Sequence, residues 1–297
     1  GNVYVADRNF HRVRMVGPAG VVSTLAGDTS NPGTTDGKGA SAKFDTPRGV
    51  AVDDKGFVYV ADTKNNRIRK VSPAAEVVTM AGWDAGYKDA KGTKAEFNGP
   101  YDVDVDGKGN VFVADTGNSK IRRVGPSGNV TTVAGSSQGW ADAKDGIQAK
   151  FAIPQGVAAD GDGNLYVGDT GNNRIRKVAP TCKVWACSDK SYCDDGDACT
   201  TDSCKDGGCE SLAIKEGGSF GAAKVCIAGQ CTGQYCGNGK VDPGEQCDDG
   251  NDKNGDGCTA QCGKECLSEE WTVSTLAGSS DGYKDGQGDQ AQFWSPA

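Results

Sequence analysis

Apolar and polar positions alternate in short runs over most of the chain. Between residues 47 and 82 the runs are 49–53, 57–61, 67–71 and 77–81, and turn residues separate them: Asp54-Lys55-Gly56, Lys64-Asn65-Asn66 and Ser72-Pro73. Alternation with a period of two, bounded by such turns, predicts strands. Four strands joined by tight turns make one antiparallel meander.

The unit recurs at 100–135, from 154 onward, and at 1–27. The aspartate closing the second run falls at Asp7, Asp62, Asp115 and Asp169, in steps of 55, 53 and 54 residues. A fixed period of this size marks a solenoid, propeller or array, and four strands per repeat select the propeller. The fold class read from the pattern is therefore all-β.

The string G-[NF]-[VL]-[YF]-V-[AG]-D-x-x-N-x-[RK]-I-R-[KR]-V runs through 56–71, 109–124 and 163–178. It resembles the NHL repeat, and the resemblance extends over nearly all of 1–180 and 271–297. It implies an NHL-type β-propeller, which usually has six blades. Four blades are visible here, the chain opens on a second strand, and it stops at Pro296, just ahead of a first strand. An internal piece of a longer propeller is the expectation. A four-bladed ring closed between its own termini, and head-to-tail pairing of chains, are the alternatives.

The connectors between repeats share a design. An aromatic residue stands five positions after the glycine at Tyr87, Trp140 and Tyr283, an aspartate follows two positions later at Asp89, Asp142 and Asp285, and Ala-x-Phe ends the connector at Phe97, Phe151 and Phe293. The first connector keeps Asp36-Gly37 and Ala42-x-Phe44 but reads Thr35 where the aromatic is expected. The phenylalanines are expected to wedge between blades.

The fourth repeat is interrupted. Its third run ends near residue 178, and its fourth, TVSTLAG, appears only at 272–278; the step from Gly135 to Gly278 is 143 residues. Residues 181–270 are read as a domain inserted at a loop tip, where insertions are tolerated. The divisions are propeller blades at 1–180, a cysteine-rich module at 181–270, and the propeller's continuation at 271–297. By strand order, the module should project from the face opposite the connectors.

All 13 cysteines lie in this module: Cys182, Cys187, Cys193, Cys199, Cys204, Cys209, Cys226, Cys231, Cys236, Cys247, Cys258, Cys262 and Cys266. Apolar residues are too sparse there for an ordinary core, so staples are needed, each disulfide adding ~2–4 kcal/mol. Zinc would want C-x2-C pairs or nearby histidine, and neither is present. Disulfides imply an oxidising compartment. Mass spectrometry of unreduced protein should find six bridges within 182–266, Cys182–Cys266 being one candidate, and one further cysteine open to an intermolecular bond. Free thiols throughout, or stoichiometric zinc, would refute this. The stretches C-G-N-G at 236–239, G-E-x-C-D-D-G-N at 244–251 and G-D-G-C at 255–258 resemble the Myxococcus-type cysteine-rich repeat of secreted and surface bacterial proteins.

Charge follows the same division. The module holds 17 acidic and 8 basic residues of the 40 and 32 in the chain, leaving the propeller with 23 and 24. Neither part has the basic balance of a nucleic-acid binder, and no apolar run reaches the ~20 residues that span a bilayer. Asp252, Asn254 and Asp256 match the opening of a calcium loop, but position twelve is Gly263 rather than glutamate. Calcium is the possible cofactor; an acidic turn is the alternative.

Candidate chemistry is thin. His11 is the one histidine and stands where Asn66 and Asn173 stand in sister repeats, so it reads as a turn variant. Nucleophilic triads have no support. Asp62 with Arg67 and Arg69, Asp115 with Arg122, and Asp169 with Arg174 and Arg176 read as bridges pinning a hairpin; a ring of arginines for an anionic partner is the alternative. The leading expectation is an extracellular, secreted or cell-surface scaffold, non-catalytic, that binds a protein or glycan through Trp83, Tyr87, Trp140 and Tyr283. A lactonase- or lyase-like propeller enzyme, and a structural unit of a surface assembly, are the alternatives.

Overall fold

The computed structural model describes residues 1–182 and 269–296, together with the backbone of five strands between them. Two compact units form: Gly1–Pro180 with Trp271–Ala297, and Thr181–Glu270.

The first unit is a succession of antiparallel sheets. Blade 1 holds β1 (Val3–Asp7), β2 (Arg12–Val16) and β3 (Val22–Gly27). The short β4 (Gly37–Lys38) lies on the outer edge of blade 2, which holds β5 (Pro47–Val52), β6 (Val58–Asp62), β7 (Arg67–Val71) and β8 (Glu76–Ala81). Blade 3 holds β9 (Pro100–Val105), β10 (Val111–Asp115), β11 (Lys120–Val124) and β12 (Val130–Ala134). Blade 4 joins β13 (Pro154–Ala159), β14 (Leu165–Asp169) and β15 (Arg174–Cys182) to β21 (Glu269–Ala277), so its third and fourth strands come from the two sides of residues 183–268. These are NHL-type β-propeller blades.

Register repeats with sequence. Val3 faces Val16, Val58 faces Val71, Val111 faces Val124 and Leu165 faces Val178. Each second strand runs into one 3-10 turn, which closes on a left-handed residue: His11, Asn66, Ser119 or Asn173, with φ of 50° to 54°. Asparagine enters this region more readily than most residues.

The core lies between blades. One cluster joins Val13 and Ala26 of blade 1 to Val58, Val60 and Val71 of blade 2 around Phe44. A second joins Tyr59, Ile68 and Ala81 to Val103, Val113 and Val124 around Phe97. A third joins Phe112, Ile121 and Val133 to Leu165, Val167 and Val273 around Phe151. The three phenylalanines are wholly buried. Ala-x-Phe thus places one wedge in each interface.

In the second unit β16 (Thr200–Lys205) pairs with β17 (Gly208–Ala213), and β18 (Ser219–Phe220), β19 (Lys224–Ile227) and β20 (Gln230–Cys231) form a second sheet. The backbone register sets Cys204 opposite Cys209 and Cys226 opposite Cys231. Cys187, Cys193, Cys199, Cys236, Cys247, Cys258, Cys262 and Cys266, and the calcium candidates Asp252, Asn254 and Asp256, lie outside the described residues.

Candidate functional site

Two sets of polar side chains recur in the blades, and burial tells them apart. The first is a lock. Asp62 accepts hydrogen bonds from the Asp45 amide at 2.8 Å, Asn65 Nδ2 at 2.8 Å and Arg69 at 2.8 Å. Arg69 also reaches into the preceding connector, donating to the Lys43 and Thr35 carbonyls and pairing with Asp36 at 2.6 Å. Arg122 repeats this with Asp115 and Asp89, and Arg176 with Asp169 and Asp142. Each guanidinium stands over the wedge phenylalanine, at 5.1, 5.1 and 5.0 Å.

Arg69, Arg122 and Arg176 are completely buried, as are Asp62, Asp115 and Asp169. They offer no surface to an anionic partner. The pairing also differs from a simple cross-strand bridge. Arg67 stands opposite Asp62 in register, yet Arg69, two residues on, makes the ion pair and ties the hairpin to the connector.

Burial pushes the Asp62 carboxyl up to about 6, against the opposing pull of Arg69, Asn65 and the Asp45 amide, and it pushes Asp115 and Asp169 up as well. Two carboxylates share each guanidinium, so one can hold a proton without stranding the arginine. A folded pKa above the unfolded one means that folding takes up protons between about pH 4 and 6. The stabilisation from this group is full below that window and is lost as pH rises through 6. The melting temperature should therefore rise when pH falls from 7 to 5, and Asp62→Asn should flatten that rise. A melting temperature that falls between pH 7 and 5 would contradict the assignment.

His11 is a peg in the same scheme. Its Nδ1 accepts from the Thr46 amide at 3.0 Å, as Asn66 Oδ1 accepts from Gly99 at 2.8 Å and Asn173 Oδ1 from Ser295 at 3.1 Å. The histidine does asparagine's work of holding the next connector, and its Nδ1 also lies 3.4 Å from Asp45 Oδ1.

The inner strands hold a pair that sequence reasoning passed over. Asp102 accepts from the Val157 amide at 3.0 Å, and Asp104 from Ala159 at 2.7 Å. Asp104 lies within β9. Sister blades have Gly49 and Ala51, or Gly156 and Ala158, at these positions, so this tie is confined to the interface of blades 3 and 4. Asp102 borders a cavity of ≈240 Å³ with Gly156, Val157 and Tyr166. Burial pushes its carboxyl upward. Both carboxylates are spent on backbone amides. No grouping of three or more His, Cys, Asp or Glu able to hold a metal occurs among the described residues.

The second recurring set lies on the connector side. Trp83, Tyr87 and Trp140 are 53%, 52% and 53% exposed. Each covers the cation that opens a third strand: Arg67 lies 4.0 Å from the Trp83 ring centre, Lys120 4.6 Å from Tyr87, and Arg174 4.5 Å from Trp140. Each ring thus lies over a cation while about half of its side chain stays exposed, and the Arg122 guanidinium also approaches Tyr87, at 5.0 Å. Burial pushes the Lys120 ammonium downward, and the neighbouring Arg122 charge acts in the same direction. Tyr283 is 89% exposed and stacks on Trp294, with centroids 6.3 Å apart.

Tyr87 and Trp140 cover a cation of the blade that follows them. Blade 2 departs from this. Because Asp36 is the lock partner equivalent to Asp89 and Asp142, the residue aligned with Tyr87 and Trp140 is Thr34, not Thr35. Thr34 has no ring, and its carbonyl accepts from Arg67 at 3.2 Å. Trp83, from blade 2's own connector, covers Arg67 instead. A ring over the third-strand cation is therefore kept in blades 2, 3 and 4 by two different routes.

The NHL repeat matches residues 44–71 and 151–178, the first three strands of blades 2 and 4 with the wedge before each. The human NHL repeat-containing protein 2 is 34% identical over 144 residues, 46% of this chain and 18% of that protein. A probable peptidyl-alpha-hydroxyglycine alpha-amidating lyase of Caenorhabditis elegans is 28% identical over 136 residues, 45% of this chain and 37% of that one. The chain thus spans well under half the length of either. Among solved structures, an auxiliary nutrient binding protein from Bacteroides thetaiotaomicron aligns at 20% identity with a TM-score of 0.49, over 60% of this chain and 45% of that one. At 44–71 and 151–178 this chain carries NHL repeats.

Proposed function

We propose that the chain is a non-catalytic binding scaffold whose working face is the connector side of its blades. One observation carries the reading: three half-exposed aromatic rings, each lying over a cation, stand on two successive connectors. Buried polar groups that recur elsewhere are spent on the lock, and the carboxylates of the inner strands are spent on backbone amides. Aromatic rings are among the residue types that dominate interface energetics. Thirteen cysteines confined to one module, on a likeness to secreted bacterial repeats, support an extracellular setting.

The test uses labelled protein on an array of immobilised glycans and peptides. Binding should fall about tenfold or more when Trp83, Tyr87 and Trp140 are together replaced by alanine, with no chemical change in the bound compound. Undiminished binding in that variant, with loss in Asp102→Asn and turnover of the compound, would move the function to the inner strands and favour the enzyme reading.

A further inference from the structure

We propose that the connector rings are platforms for the pyranose rings of a neutral polysaccharide, an inference that rests on the binding-face reading and narrows it. The rings themselves exclude one ligand class. An aromatic face attracts a cation through its quadrupole. Here an arginine or lysine already lies 4.0–4.6 Å from each ring centre. A second cation on the exposed part of a ring would meet that charge, so a basic peptide is disfavoured.

Charge excludes another class. The connector at 82–100 carries three acidic and three basic side chains, and that at 135–154 carries two of each. No field of one sign gathers an anionic ligand here. What fits is a neutral molecule with a flat apolar face and a rim of groups that both donate and accept hydrogen bonds. A pyranose has both, its C–H face for the ring and its hydroxyls for the rim.

The rim is present beside the rings. The Tyr87 hydroxyl lies 3.1 Å from Thr132 Oγ1, which donates to Asp89 at 3.2 Å, and Thr275 donates to Asp142 at 3.1 Å below the Trp140 connector. The Asp89 and Asp142 side chains remain 41% and 43% exposed. Each carboxylate is oriented by the lock arginine and keeps an outward side for a hydroxyl. The rings also stand singly among charged side chains, not merged into the apolar patch that marks a protein interface core. Two platforms on one connector and a third on the next suit a polymer, whose linked residues bind at high effective concentration.

Affinity electrophoresis tests this with the whole chain run through gels containing mixed-linkage β-glucan, xyloglucan, galactomannan or dextran, with polygalacturonate and dextran sulfate as charged controls and a peptide array beside them. At least one neutral polymer should retard the protein, and added salt should leave that retardation unchanged. Affinity should grow with oligosaccharide length and drop about tenfold or more in Trp140→Ala or Tyr87→Ala. Retardation by the charged polymers alone, or ring-dependent binding of peptides alone, overturns the polysaccharide and leaves the connector face as the binding face. Retardation by a neutral polymer that is unchanged in the ring variants overturns both. No retardation by any neutral polymer overturns this inference.

Discussion

Arg122→Ala should lower the melting temperature by roughly 6–20 °C. The guanidinium is completely buried, pairs with Asp115 at 2.7 Å and Asp89 at 2.6 Å, and donates to the Glu96 and Lys88 carbonyls. Removing it strands a fully buried carboxylate and two acceptors. Breaking a buried pair from one side costs about 3–5 kcal/mol, and each kcal/mol moves the midpoint of a domain of this size by about 2–4 °C. Arg122→Lys keeps the charge but loses the planar fork that serves four acceptors at once, so it should fall between wild type and alanine. A loss below about 2 °C in Arg122→Ala would mean that the lock is not structural.

Phe97→Ala should cost a comparable amount, about 3–5 kcal/mol. Phe97 is completely buried in the cluster that joins blades 2 and 3 and lies under the Arg122 guanidinium. Truncation leaves a cavity that strand pairing on both sides prevents from collapsing. Because ring and guanidinium touch, Phe97→Ala with Arg122→Ala should cost less than the two separate losses combined. Strict additivity in urea unfolding would show that wedge and lock act independently.

The blades were legible in the sequence because their code is local. Alternation, the turn residues and the string D-x-x-N-x-[RK]-x-R of blades 2 to 4 repeat at a fixed period, and all of them act within one hairpin. Asp62 and Asn65 sit on one turn, so their partnership can be read directly. What could not be read is what one blade does to the next. That Arg69, not Arg67, serves Asp62 depends on a connector 26–34 residues upstream folding over it. Trp83 was named for the binding face but its partner could not be read, because Arg67 lies earlier in the chain, whereas Tyr87 and Trp140 look forward to theirs. Asp102 and Asp104 differ from their sister positions, and that difference was the signal available; their amide partners lie 55 residues away. The aromatic positions were found because they recur, but recurrence could not say whether the rings are packed or open. Exposure of the rings is a property of the assembled blades.

The claim that the rings serve binding and the phenylalanines serve the fold is tested most directly by melting Trp140→Ala beside Phe151→Ala. Trp140 makes one cation contact at a half-exposed site, worth about 0.5–1 kcal/mol, so its loss should shift the midpoint by about 1–4 °C. Phe151, wholly buried in the third cluster, should shift it several times as far. Equal shifts in the two variants would show that Trp140 is packing, and the connector face would lose its claim to be the binding face.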